Sequence, residues 1–197
     1  RGLGDVYKRQ GSIRVGRVDT AQVSDLWTAK NVTLLTQDVH IFAGSLRDDL
    51  AMASPGATNA ELLAALAGVG LQPDGVQFAR LFPQGLDTRV GAGAGDLPPE
   101  VEQQLALARV ALAGPKVLIL DEATAEAGSD ATNALEEAAA RIAENTTALV
   151  VAHRLDQAAA ADRILVMDAG RIIEDGTHAE LLAARGRYAQ LFAAWSG

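Results

Sequence analysis

The sequence predicts an α/β protein in which helices flank a mostly parallel sheet, with an all-helical segment inserted between two sheet strands. Residues 117–120 are all apolar and have the length of a strand buried on both faces, as in a parallel sheet under helices. Residues 31–36 and 148–152 form two similar runs. After residue 113 strand and helix patterns alternate, which is typical of a parallel sheet.

Composition restricts the protein to a few classes. The chain has 197 residues, 49% hydrophobic and 21% charged, which is enough for one substantial core or a core with a small subdomain. A net charge of −8 argues against a nucleic-acid-binding protein, which needs a basic surface. The absence of cysteine excludes disulfides and thiolate metal sites. No apolar run reaches the ~18–20 residues of a membrane helix.

Local signals divide the chain into elements. Ser45 is predicted to cap one helix, and Thr58, with Glu61 at the capping-box position, is predicted to cap another. Residues 1–10 lack the periodicity of the rest, and we expect them to be a non-native or misassembled segment. The predicted elements are, in chain order, strands at 12–15 and 31–36, helices at 45–52, 58–67 and 98–113, a strand at 117–120, a helix over Ser129–Ala143, a strand at 147–152, a short helix near Asp156, strands at 163–168 and 171–174, and helices at 177–184 and 188–195.

These elements imply three regions after residue 10. We expect a helical subdomain over residues 45–112, a catalytic core over 113–175 and carboxy-terminal helices over 176–197. The middle region is predicted to be an insertion between two strands of the sheet.

A polar residue follows each of the three apolar strands. Gln37 follows the first, Asp121 and Glu122 the second, and His153 the third. Because parallel strands present their carboxyl ends at one edge of a sheet, we expect these four side chains to converge there. An amide, two carboxylates and an imidazole suit metal-assisted hydrolysis of a phosphate anhydride.

The predicted roles follow from this chemistry. Asp121 would hold Mg²⁺, with Gln37 completing the shell of metal and water. Glu122 would orient or deprotonate the attacking water, and His153 would donate a hydrogen bond to the terminal phosphate.

At these residues the chain resembles the ATP-binding domain of ABC transporters, particularly exporters. Thr36-Gln37-Asp38 resembles the family's Q-loop, and residues 117–124 resemble its Walker B segment. Residues 151–155 resemble the switch-histidine segment, and residues 38–48 and 176–192 resemble exporter sequences. The resemblance extends from Gly11 to the end of the chain.

This resemblance implies a P-loop NTPase-like fold and a nucleotide site that binds ATP with Mg²⁺. It further implies a second ATP-binding domain in a heterodimer and transmembrane domains fused upstream or on a partner chain. The expected location is the cytoplasmic face of the cell membrane. Rival interpretations are a soluble ABC-type ATPase, a non-hydrolysing pseudo-ATPase module, and a decayed or misassembled gene.

Two departures from the family pattern carry further expectations. No Gly-x-x-x-x-Gly-Lys-Ser/Thr loop is present, because none of the three lysines follows a glycine, and we expect the phosphate-binding loop to lie upstream of Gly11. The isolated chain is therefore expected to bind ATP poorly and to be inactive. The second departure is the family's Leu-Ser-Gly-Gly-Gln signature, whose place is taken by Leu97, Pro98, Pro99, Glu100 and Val101.

The altered signature predicts an asymmetric pair of sites. Pro98 and Pro99 offer no N–H group, and Glu100 puts a negative charge where a phosphate would bind. Proline is a good first residue of a helix, so the helix itself is expected to persist. This subunit would supply Asp121, Glu122 and His153 to one site and a weakened signature to the other.

Overall fold

The computed structural model describes residues 11–36, 38–121, 129–144, 146–152 and 154–196. The chain divides into two compact units, the first ending at Val150 and the second beginning at Val151. Of the helices in the described part of the chain, none combines the length and the apolar character needed to cross a membrane.

The first unit contains most of the elements. They are, in chain order, β1 (Arg14–Val15), β2 (Val18–Asp19), α1 (Asp25–Asn31), β3 (Val32–Leu35), β4 (Gly44–Ser45), α2 (Leu46–Ala51), α3 (Asn59–Gly68), α4 (Val76–Leu81), β5 (Arg89–Val90), α5 (Pro99–Ala113), β6 (Val117–Asp121), α6 (Ser129–Ala143) and β7 (Thr147–Val151), whose last residue opens the second unit. Short 3₁₀ turns cover Thr20–Gln22 and Gly85–Asp87.

A three-stranded sheet in the order β3-β6-β7 confirms the predicted α/β architecture. β3 and β6 are parallel, with Val32 opposite Val117 and Leu35 opposite Leu120. At the start of β7, the Thr147 N–H donates to the Lys116 carbonyl at 3.2 Å. The amino-terminal ends of β6 and β7 therefore lie side by side, as parallel strands require.

The core of the first unit lies between the sheet and the inserted helices. On β6, Leu118 and Leu120 are buried, whereas Val117 and Ile119 are half-buried. The strand is therefore covered unequally on its two faces. The other buried apolar side chains come mainly from α2, α3 and α5, among them Leu46, Leu50, Leu62, Leu66, Val101, Leu105 and Leu107.

Both predicted helix caps in the inserted region are confirmed. The Ser45 and Thr58 hydroxyls accept hydrogen bonds from the backbone N–H groups of Asp48 and Glu61. The carboxylates of Asp48 and Glu61 accept the reciprocal bonds, which completes a capping box at the start of α2 and of α3. Helix α5 ends at Gly114, which has a φ of 53° and so adopts the left-handed conformation that glycine tolerates.

Several features of the first unit differ from expectation, among them helix α1 and strand β2, which were not predicted. Asn31 was predicted to begin a strand, but it ends α1, where its side-chain amide donates to the Trp27 carbonyl at 2.8 Å. Helix α4 was not predicted. The helical insertion also contains a short antiparallel pair, in which Gly44 lies opposite Val90 and Ser45 opposite Arg89.

The second unit consists of α7 (Leu155–Ala159), β8 (Ile164–Asp168), β9 (Arg171–Gly176), α8 (His178–Ala184) and α9 (Arg187–Ser196). β8 and β9 form an antiparallel hairpin that turns at Ala169 and Gly170, both with positive φ. The predicted turn at Gly170 is therefore confirmed. A small core holds Ile164, Leu181 and Tyr188.

Candidate functional site

The carboxyl ends of β3 and β6 lie at the same edge of the sheet. Leu35 and Leu120 are register partners, so the chain leaves the two strands side by side. The next residue of β6 is Asp121, whose side chain is exposed at this edge. Just beyond β3, the Thr36 hydroxyl donates to the Asp38 carbonyl at 3.3 Å. The parallel register therefore brings Asp121 to the edge at which β3 ends.

Three of the four predicted site residues lie outside the described residues. These are Gln37, Glu122 and His153. Their convergence with Asp121 stays a prediction, as do their roles. Their described neighbours in the first unit, Thr36 and Asp121, lie where the prediction requires them.

The side chains described at this edge do not form a complete metal site by themselves. Among the residues that the structure describes, no three His, Cys, Asp or Glu side chains are grouped closely enough to hold a metal ion. Magnesium usually takes one or two protein carboxylates and completes its shell with water and substrate phosphates. A single exposed carboxylate such as that of Asp121 is compatible with this kind of coordination.

A buried ion pair, which the sequence did not reveal, joins helices α2 and α5. Asp49 on α2 is fully buried, and its Oδ1 accepts a bond from Arg109 Nη1 on α5 at 2.7 Å and one from the Phe42 N–H at 2.9 Å. Arg109 Nη2 also donates to the His40 carbonyl at 2.8 Å. The Arg109 guanidinium lies 5.5 Å from the centre of the Phe42 ring, within cation–π range. The pair therefore joins two helices and the segment that follows residue 37.

The electrostatics of Asp49 reflect its burial. Burial raises the pKa of the Asp49 carboxyl, while the Phe42 N–H and the Arg109 guanidinium act in the opposite direction. Its Oδ2 is buried without a hydrogen-bond partner. A sequence signal existed, because Leu46, Asp49 and Leu50 are spaced three and four residues apart and so share one helix face. A carboxylate on an apolar face needs a partner, but the sequence does not say which one.

The glycine-rich stretch packs against the same segment. Gly91 has a φ of 72°, and a Cβ added there would lie 2.7 Å from the Phe42 carbonyl oxygen. This close approach explains the glycine at residue 91.

The amino-terminal end of α5 carries the altered signature. The helix begins at Pro99, which confirms that proline is compatible with its start. Pro98 and Pro99 have no N–H group, and the Val101 N–H donates to the Pro98 carbonyl at 2.9 Å. Glu100 and Glu102 place two carboxylates in the first turn. This helix end therefore has few free donors and a negative charge, both unfavourable to a bound phosphate.

Comparison with known sequences identifies the type of domain. A sequence model of the ABC transporter family matches residues 3–125, well over half of the chain. An ATP-dependent lipid A-core flippase of Shewanella denitrificans is 37% identical over 183 residues, covering 93% of this chain and 30% of the flippase. A multidrug efflux ATP-binding/permease protein of Mycobacterium bovis is 37% identical over 184 residues, covering 93% of this chain and 15% of that protein.

A solved structure shares the fold. A bacterial Atm1-family ABC exporter with ATP bound superposes with a TM-score of 0.81 at 29% sequence identity, covering 100% of this chain and 35% of the exporter chain. The chain therefore spans about a third or less of each of these relatives.

Proposed function

The chain belongs to the ABC transporter family, and from that premise we propose that it is part of the ATP-binding domain of an exporter. In the whole protein, ATP hydrolysis would drive transport through membrane domains fused upstream or carried by a partner chain. The domain would lie at the cytoplasmic face of the membrane. The names of the relatives, which include a lipid A-core flippase and a multidrug efflux protein, support this proposal.

The observation that carries the proposal is the parallel register of Leu35 with Leu120. It supports a site at which Asp121 and Gln37, which would bind Mg²⁺, approach the nucleotide from adjacent strands. The metal would neutralise charge on the phosphates. Glu122 would take a proton from the attacking water, and His153 would donate a hydrogen bond to the γ-phosphate.

The start of α5 supports an asymmetric dimer. In the family, this helix end faces the nucleotide held by the second ATP-binding domain. Here Glu100 would repel that nucleotide, and Pro98 and Pro99 would offer it no N–H donor. The site built on Asp121 would hydrolyse ATP with the partner's signature, and the opposite site would turn over slowly.

One specific observation favours a second candidate, a module that binds nucleotide without hydrolysing it. A carboxylate in the first turn of α5 is unfavourable for any γ-phosphate, whichever subunit holds it. The two candidates differ in whether Glu122 matters for turnover.

Replacement of Glu122 by Gln in the full-length protein with its partner separates the candidates. Loss of the general base is expected to lower ATPase kcat by about 10²-fold or more while ATP still binds. A variant that hydrolyses ATP at the wild-type rate would reject the proposed role of Glu122. A wild-type protein that binds Mg·ATP but shows no turnover would favour the non-hydrolysing module.

Asp121 is tested separately through the metal. Asp121→Asn is expected to raise the Mg²⁺ concentration for half-maximal ATPase by about tenfold or more, since even outer-shell changes cost that much in metal sites. Asp168→Asn is the matched control, because Asp168 is also exposed at the end of a strand. An equal Mg²⁺ requirement in both variants would contradict the role of Asp121.

A further inference from the structure

We propose that Asp49 and Arg109 form a positioning pair, which anchors the chain immediately after Gln37 and so sets where Gln37 enters the nucleotide site. Residues 38–43 are called the post-strand segment. The inference rests on the proposed function for its consequence in catalysis, whereas the anchoring is independent of it.

The pair holds the post-strand segment at two backbone positions. Arg109 Nη2 donates to the His40 carbonyl at 2.8 Å, and Asp49 Oδ1 accepts from the Phe42 N–H at 2.9 Å. The 2.7 Å bond between Arg109 Nη1 and Asp49 Oδ1 joins these two anchors. The segment therefore cannot leave α5 without breaking charge-assisted hydrogen bonds, which are stronger than neutral ones.

Because both side chains are buried, removing either one is expected to be strongly destabilising. The Asp49 side chain is 0% exposed and that of Arg109 only 15%. Losing either partner strands the other charge in a poorly solvated place, which is far more costly than losing an exposed pair. The segment also packs closely against Gly91, where an added Cβ would lie 2.7 Å from the Phe42 carbonyl oxygen.

The pair is expected to influence the position of residue 37 because the chain before that residue is fixed separately. Leu35 is held by its register with Leu120 on β6, next to Asp121. The Arg109 bond to His40 fixes the chain five positions further on. Breaking the pair would release one flank and leave the other in place. The expected result is a misplaced Gln37 and a slower chemical step, because misplacement of about 1 Å can cost about 10²-fold in rate.

Arg109→Lys in the full-length protein is the sharpest test. Lysine keeps the positive charge beside Asp49, but it lacks the planar fork with which Arg109 binds Asp49 and His40 together. Arg47→Lys is the matched control, since Arg47 pairs with Asp87 at 3.0 Å in the same helical region and forms no hydrogen bond to the post-strand segment.

Two measurements are made on both variants. Hydrogen exchange of residues 38–43 is expected to accelerate in Arg109→Lys and to stay as in the wild type in Arg47→Lys. ATPase kcat is expected to fall about tenfold or more in Arg109→Lys, with KM for ATP within about twofold of wild type, while Arg47→Lys retains its kcat. Asp49→Asn, which can still accept the Phe42 N–H, repeats the test if Arg109→Lys does not fold.

The outcomes are decisive in either direction. Unchanged exchange in the segment overturns the anchoring, and accelerated exchange with normal kcat overturns the positioning role. An equal fall in kcat in Arg109→Lys and Arg47→Lys also overturns it, because the effect would then be general loosening. A wild-type protein without ATPase activity refutes the proposed function instead, and the exchange comparison alone then decides whether the pair anchors the segment.

Discussion

The carboxylate of Glu174 occupies the space that a side chain on Gly186 would need. Glu174 accepts hydrogen bonds from the backbone N–H groups of Arg187 at 2.5 Å and Tyr188 at 2.8 Å, the first two residues of α9. A Cβ added to Gly186 would overlap Glu174 Oε1. The absence of a side chain at residue 186 therefore allows a residue of β9 to cap the last helix.

Gly186→Ala is expected to destabilise the second unit by about 1–2 kcal/mol, because the displaced Glu174 loses its cap. Gly68→Ala is the control, since a Cβ there meets nothing within 4 Å and alanine favours the helical conformation. Urea unfolding measures both changes: Trp195 fluorescence in a Trp27→Phe background follows Gly186→Ala, and Trp27 fluorescence in a Trp195→Phe background follows Gly68→Ala. If Glu174→Ala and Gly186→Ala have additive effects, the two residues do not act through one cap.

Because of its capping boxes, the folded chain is expected to lose stability as the pH falls. A capping box also forms at the start of α8, between Thr177 and Glu180. Hydrogen bonds from Thr58 and Thr177 lower the pKa of the Glu61 and Glu180 carboxyls in the folded chain. Between the folded and unfolded pKa values the unfolded state binds more protons, so this stability is complete above the unfolded value and is lost as pH falls through the folded value. Below about pH 4 both caps are expected to weaken.

Glu61→Gln and Glu180→Gln test this directly, because glutamine preserves the capping box but does not titrate. We expect the urea midpoint of the double variant to change less between pH 7 and pH 3 than that of the wild type. If the urea midpoints of the two proteins fall in parallel as pH is lowered, these carboxylates do not contribute to the loss of stability in acid.

Glu100→Gln is expected to raise nucleotide affinity and ATPase activity at the site whose nucleotide the partner domain holds. Two unit charges about 4 Å apart repel by about 1 kcal/mol in water, so removing one would raise nucleotide affinity about fivefold. The measurement is ATPase activity and nucleotide binding of the dimer whose own Glu122 is replaced by Gln, which isolates the opposite site. Glu102→Gln is the comparison, and equal effects of both changes would point to general charge rather than position.

Elements specified by neighbouring residues were predictable. Ser45 caps its helix as predicted, and Thr58 forms the predicted capping box with Glu61. Asp48 completes a second capping box at Ser45. The helix over Ser129–Ala143 has the predicted bounds. In these cases the residues that specify the element are close together in the chain, so local interactions suffice to form it.

Elements with a weak local signal or a distant partner were missed or misplaced. Asn31 was assigned to a strand because apolar residues follow it, whereas the structure uses its amide to finish α1. The short pairing of Gly44 with Val90 joins residues far apart in the chain and leaves no periodic pattern in either segment. Neither feature has a local signature strong enough to compete with the adjacent apolar run or helix.

The residues of the candidate site also include one that could be placed from the sequence and others that could not. The position of Asp121 at the end of β6 was predicted from an apolar strand that ends in carboxylates, and its role in the site stays a prediction. The ion pair of Asp49 with Arg109 was not identified, since its partners are 60 positions apart. The roles of Gln37, Glu122 and His153 stay predictions.

The amino-acid sequence by itself determined the order of the main strands and helices, the caps at Ser45 and Thr58 and the Asp121 carboxylate at the end of β6, because periodicity and capping act over a few residues. Tertiary structure alone decided that Arg109 closes over Asp49 and that Glu174 fills the space beside Gly186. Both arrangements satisfy polar groups that the chain cannot satisfy locally, and only packing determines which distant group supplies the missing partner.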